Sequence, residues 1–73
     1  MRNMESGIAL TLNGEPRRLA DAATVAELLA TIGLDTRKVA VERNAAIVPK
    51  SAYAATRLAD GDAIEIVHFI GGG

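Results

Sequence analysis

Few side chains in this sequence are equipped for chemistry. Its 73 residues include one histidine, His68, and no cysteine. A Cys–His nucleophile pair and a Cys/His zinc set are both out of reach. A lone histidine in a strand-like run, with no partner group in the pattern, reads as a surface residue. Asp60 and Asp62 flank Gly61, but a calcium loop needs a longer spread of ligands closing on a bidentate glutamate. A turn is the simpler reading. Arg17-Arg18 and Arg37-Lys38 are short basic patches that read as solvated strand ends, each able to meet an acidic partner. No catalytic residue and no metal site emerges.

The end of the sequence is a different kind of candidate. Gly71-Gly72-Gly73 closes an apolar, strand-like run. Glycine has the most backbone entropy to lose on ordering, so the run has no value as helix or strand. On composition alone it reads as a flexible end without a role. Read functionally, it is a slender arm reaching about 10 Å over three residues. Without Cβ atoms such an arm can thread a narrow channel and present the carbonyl carbon of Gly73 to a nucleophile. A carboxylate is a poor electrophile, so a separate enzyme would have to activate it, for example as an acyl adenylate.

The rest of the chain must position that arm. At 49% hydrophobic the sequence looks rich in core material, but fourteen of those residues are alanine. The remaining larger apolar side chains allow one thin core and one domain. A net charge of −1 argues against a general polyanion binder, and one Tyr, one Phe and no Trp leave few platforms for stacking bases. Nothing here reads as nucleic-acid binding. No apolar run approaches the length of a membrane span, and Met1 to Ser6 shows no signal-peptide pattern. The absence of cysteine fits a cytoplasmic setting.

Ile8, Leu10 and Leu12 alternate as a half-buried strand. Asn13-Gly14 is a strong hairpin signal, and Arg17 to Ala20 reads as the return strand, confined to a sheet edge by Pro16. Thr24 and Glu27 form a T-x-x-E capping box. Val25, Leu28, Leu29 and Ile32 follow at helical spacing, with Ala26, Glu27, Ala30 and Thr31 facing water, and Gly33 supplies a left-handed stop. A helix of about ten residues results. Val39 and Val41 alternate with Lys38, Ala40 and Glu42 as a further strand. Ile47-Val48 is a brief strand or buried bend, and Ser51 to Arg57 is an alanine-rich link with room for one helical turn. Asp60-Gly61-Asp62 is a turn, and Ala63 to Phe69 is the last strand. An apolar helix stripe covering one side of a sheet of about four or five strands makes an α+β roll. Ile64 and Ile66 would face the helix with Leu10, Leu12, Val39 and Val41. Val67 and Phe69 would point the other way, either as an exposed docking patch beside the arm or packed under the Ser51 to Arg57 link.

The ordered set Asn13-Gly14, Thr24-Val-Ala-Glu-Leu-Leu29, Val39-Ala-Val-Glu-Arg-Asn44, Ile47-Val-Pro49, Asp60-Gly-Asp62, Ile64-Glu-Ile-Val-His-Phe69 and the glycine run resembles the ThiS family. These are the sulfur carriers of thiamine biosynthesis, and the resemblance covers nearly everything from Ile8 to Gly73. It implies a ubiquitin-like β-grasp fold: one main helix on a mixed sheet over residues 8–70, a flexible extension at 1–7 and a flexible glycine tail at 71–73. It also implies that the chain is a protein co-substrate, not an enzyme, with no cofactor of its own. In this family an E1-like adenylating enzyme uses ATP and Mg to convert the terminal carboxylate to an acyl adenylate. Sulfur from a donor such as a cysteine desulfurase persulfide replaces AMP, and thiazole synthase takes it from the resulting thiocarboxylate. Carried over, Gly73 is the residue modified, Gly72 is the other member of the diglycine, and Gly71, Gly72 and Gly73 enter the partners' active sites. The small subunit of molybdopterin synthase shares the fold and diglycine. A ubiquitin-like modifier would instead be joined to target lysines, and a plain interaction module would show no ATP-dependent change at Gly73. Val-Glu-Arg-Asn and Ile-Val-His-Phe favour the thiazole carrier.

Overall fold

In the first hairpin the backbone does what the residue types ask of it. β1 (Ile8–Leu12) and β2 (Glu15–Leu19) pair antiparallel in a computed structural model that describes residues 7–69. The extension before Gly7 and the glycine arm lie outside the described residues. Asn13 and Gly14 have φ of 50° and 84°, the left-handed pair that a type I′ turn requires. So tight a turn sets Glu15 directly opposite Leu12, and the return strand therefore begins at Glu15 rather than Arg17. Pro16 stands opposite Thr11 on an edge strand, where a missing N–H is tolerated.

Helix α1 spans Val25–Ile32, eight residues between the cap at Thr24 and the expected left-handed stop at Gly33, φ 79°. The capping box is reciprocal: Glu27 N donates to Thr24 Oγ1 at 3.2 Å and Thr24 N to Glu27 Oε1 at 2.9 Å. The remaining free amides of the first turn are also satisfied. Val25 N donates to Thr56 O and Ala26 N to Tyr53 O, both at 3.0 Å, so the link after β4 serves as a backbone cap. That contact explains why Ala26 packs against the core instead of facing water.

After a 3₁₀ turn at Thr36–Lys38 come β3 (Val39–Arg43) and β4 (Ala46–Val48), joined by a second two-residue hairpin. Its central residues Asn44 and Ala45 have φ of 53° and 71°. The sequence shows no glycine there, and its residue types do not signal a turn. The link contains one 3₁₀ turn, Lys50–Ala52, displaced towards the N-terminal side of the expected helical turn. It sends Tyr53 and Leu58 into the core, two members that periodicity does not disclose. β5 (Ala63–His68) follows the Asp60-Gly61-Asp62 turn and stops one residue short of Phe69.

The sheet order is β2-β1-β5-β3-β4. β5 runs parallel to β1 and antiparallel to β3, which makes the sheet mixed and puts the last strand at its centre. Val25, Leu28, Leu29, Val39, Val41 and Ile64 are all 0–1% exposed. Burying a side chain of that size is worth about 1.5–3 kcal/mol. This helix-on-sheet core holds β5 from one side, while ladder bonds hold it from both edges.

Candidate functional site

Everything the terminal arm can do depends on how β5 is fixed, and polar side chains fix it beyond the ladders. At the end of β1, Asn13 N donates to Ile64 O at 2.8 Å. Its side chain accepts from Ile66 N at 2.7 Å and donates to Ile66 O at 3.3 Å. One amide side chain thus extends β1 past its last residue. On the other side, Asn44 N donates to Ala63 O at 2.8 Å and Asn44 Oδ1 accepts from Ala63 N at 2.9 Å.

Asp62 anchors the start of the strand. It is the one buried charged residue among the described residues, at 6% exposure. Its carboxylate accepts from Arg43 Nε at 2.8 Å, Asn44 Nδ2 at 3.0 Å and Ala59 N at 2.8 Å. Burial pushes its pKa up, but the hydrogen bonds from Arg43, Ala59 and Asn44 outweigh that and hold the carboxyl below the usual range. Asp60 also works for the fold: its carboxylate accepts from Ala9 N at 2.8 Å. Both aspartates of the turn are therefore structural.

At the far end, Val67 lies opposite Ala40 and is 60% exposed, and Phe69 is 53% exposed. Ile64 is fully buried and Ile66 half-buried, as the alternation requires. The Ser51 to Arg57 link leaves Val67 and Phe69 uncovered. Phe69 N donates to Lys38 O at 2.8 Å, and Lys50 Nζ lies 5.4 Å from the centre of the Phe69 ring. Gly71, Gly72 and Gly73 lie outside the described residues.

One member of this surface is not evident from the sequence alone. Ile47, 68% exposed, lies opposite Glu42, which in turn lies opposite Glu65. By alternation Ile47 shares the outer sheet face with Val67. The pairing of β3 with β4 reveals it, and that pairing depends on the turn at Asn44-Ala45. Arg37 is not a free strand end either. It grips Asp35 through two side-chain hydrogen bonds at 3.0 and 3.1 Å, which hold the Asp35 carboxyl down at about 2. His68 is exposed at the end of β5. Among the described residues no three His, Cys, Asp or Glu side chains gather to hold a metal ion, and no helix is long and apolar enough to cross a membrane.

Comparison with known proteins bears on the same strand and its extension. The model of the ThiS family matches residues 10–73, through the last glycine. The sulfur carrier protein ThiS of Bacillus subtilis is 46% identical over 65 residues, covering 88% of this chain and 98% of that protein. The thiazole synthase of Paramagnetospirillum magneticum is 58% identical over 64 residues, 88% of this chain but 20% of that protein. The chain thus spans about a fifth of the thiazole synthases it matches. Among solved structures, the crystal structure of the thiamine biosynthesis protein ThiS from Geobacter metallireducens superposes with a TM-score of 0.78 at 38% identity. That match covers 90% of this chain and all of the other.

Proposed function

This chain belongs to the ThiS family, the sulfur carriers of thiamine biosynthesis, and from that premise we propose that it carries sulfur as a thiocarboxylate on Gly73. In this reading the Gly73 carboxylate attacks the α-phosphorus of MgATP on an E1-like adenylating enzyme, releasing pyrophosphate. The outer sulfur of a donor's persulfide then attacks the acyl carbon and displaces AMP. A thiol cleaves the resulting acyl disulfide, leaving the thiocarboxylate on Gly73 and a disulfide on the donor. The thiocarboxylate passes its sulfur to thiazole synthase, and the chain is a co-substrate throughout. Because the activating step consumes MgATP, we assign the exchange to the cytoplasm.

The observation that carries the reading is one of placement. The family match runs on through Gly71-Gly72-Gly73, shortly past a central strand on which Val67 stands exposed, as does Phe69 just beyond it. A fixed strand with an apolar end suits docking, and the glycines beyond it suit a narrow channel. Thiazole synthase as a partner is supported by relatives of that name that include a unit like this chain.

The test is intact mass of the chain from cells growing without thiamine, together with ATP-dependent pyrophosphate release in the presence of the adenylating enzyme. The mass reads both where the chain ends and whether one oxygen has become sulfur. Deleting Gly73 should leave the melt unchanged and abolish thiocarboxylate formation, because it withdraws the carboxylate by roughly 3.5 Å. Phe69→Asp should weaken binding to the adenylating enzyme by more than about 1 kcal/mol with little effect on the melt. Lysine-linked adducts in place of the sulfur exchange would make the chain a protein modifier instead, and the proposal would fail.

A further inference from the structure

We infer that Lys50 is a positioning residue for the terminal arm, acting through Phe69; the inference rests on the sulfur-carrier reading. Lys50 follows Pro49 in the link after β4, and its side chain reaches back over the end of the sheet. Its ammonium donates to Val39 O at 2.6 Å and to Thr36 O at 3.2 Å. The same nitrogen lies 5.9 Å from the centre of the Tyr53 ring and 5.4 Å from that of Phe69, within the range in which a cation is attracted to a ring.

The two rings differ in what they need. Tyr53 is 4% exposed and held by the core, whereas Phe69 is 53% exposed. Phe69 has one backbone bond in its favour, its amide to Lys38 O at 2.8 Å. Thr36, Lys38 and Val39 therefore present three nearby carbonyls, of which Lys50 binds two and Phe69 the third. An ammonium has three donors and no acceptor, so it can anchor on the two carbonyls and still face the rings. An apolar side chain of similar length, such as methionine, could do neither.

Phe69 is both the last described residue of the exposed apolar face and the residue from which the chain continues towards Gly73. Holding its ring fixes the docking surface and the arm's point of departure relative to one another. A partner that grips the face and acts on the arm needs that relation, because reacting groups must meet at near-contact distance and a misplacement of about 1 Å can cost as much as 100-fold in rate.

The experiment compares Lys50→Met, which keeps the aliphatic stem, with Lys50→Arg, which keeps the charge. It uses the full chain and its adenylating enzyme at a temperature where circular dichroism shows every variant folded. Lys50→Met should lower pyrophosphate release roughly tenfold, mostly in kcat, and should shift the Phe69 ring resonances while leaving Leu28 and Leu29 in place. Lys50→Arg should recover most of that loss. Unchanged kcat/KM in Lys50→Met, a loss confined to KM, or an arginine variant no better than methionine would each overturn the assignment. If the unaltered chain released no pyrophosphate, the carrier reading would fall. Phe69 resonances unmoved in Lys50→Met would then overturn Lys50's hold on the ring independently.

Discussion

Asn13-Gly14 and Asn44-Ala45 occupy equivalent places in the two hairpins that flank β5. In each, both central residues adopt positive φ. In each, the asparagine backbone N–H donates to a β5 carbonyl and the side chain bonds a β5 amide. The second position differs. Gly14 accepts the left-handed conformation without strain, whereas Ala45 carries a Cβ there, at a cost of about 1 kcal/mol or more. The first hairpin relies on suitable turn residues. The second is held by what surrounds it, since Asn44 also bonds Asp62, which pairs with Arg43. Strain of this kind persists where neighbouring contacts over-determine the backbone.

That contrast can be broken or sharpened by substitution. The largest expected effect is a control that should abolish it. Leu29 is fully buried under the sheet, so Leu29→Ala should cost about 2–5 kcal/mol. Hydrogen exchange should then show both hairpins losing protection together. Loss in one alone would mean that they do not share a core.

Asp62→Ala comes next, at about 2–4 kcal/mol. It leaves Arg43 without its partner, discounted because the Arg43 side chain is 35% exposed. Exchange should rise around Asn44 far more than around Asn13. The acid limb gives a second reading. The folded-state pKa of Asp62 is lowered from 3.8, so its ionised form contributes stability above that value, and the contribution is lost as pH falls below it. Asp62→Asn should flatten the decline of stability below pH 3.8. An acid limb as steep as in the unaltered chain would remove Asp62 from the account.

Asn44→Ala should destabilise by about 2 kcal/mol and Asn13→Ala by about 1 kcal/mol, as read from urea unfolding. The reverse order would mean that the Asp62 cluster does not brace the second hairpin. The smallest effects concern the second turn position. Ala45→Gly should raise stability by about 0.5–1 kcal/mol and Gly14→Ala should lower it by about 1 kcal/mol.

The same contrast marks what could be read in the sequence. Asn13-Gly14, the Thr24/Glu27 box and the Val25, Leu28, Leu29, Ile32 stripe each state their conformation in residue types, and the structure follows them. Asn44-Ala45 does not, because alanine is no turn former and the causes of the turn, Asp62 and the pairing with β5, lie far along the chain. Tyr53 and Leu58 escaped for a related reason: their segment has no period, and its carbonyls are recruited by the N-terminus of α1. Val67 is legible as outward-facing because a strand alternates, whereas Phe69 lies one residue past β5 and is exposed without that support. Ile47 is not legible, since its face depends on a register that only the Asn44-Ala45 turn defines.

The parallel pairing of β5 with β1 has a mechanical consequence. An arm gripped by an enzyme is a handle on β5, and tension along it loads the strand lengthwise. The bonds to β1 and β3 lie broadly across that direction, so they must shear together and cannot unzip one after another. β1 runs in the same sense as β5, so a pull on the arm against an anchor on the preceding chain would load both strands in opposition. A grip on residues beyond Phe69 is thus borne by the middle of the sheet, while the edge strands carry little of the strain.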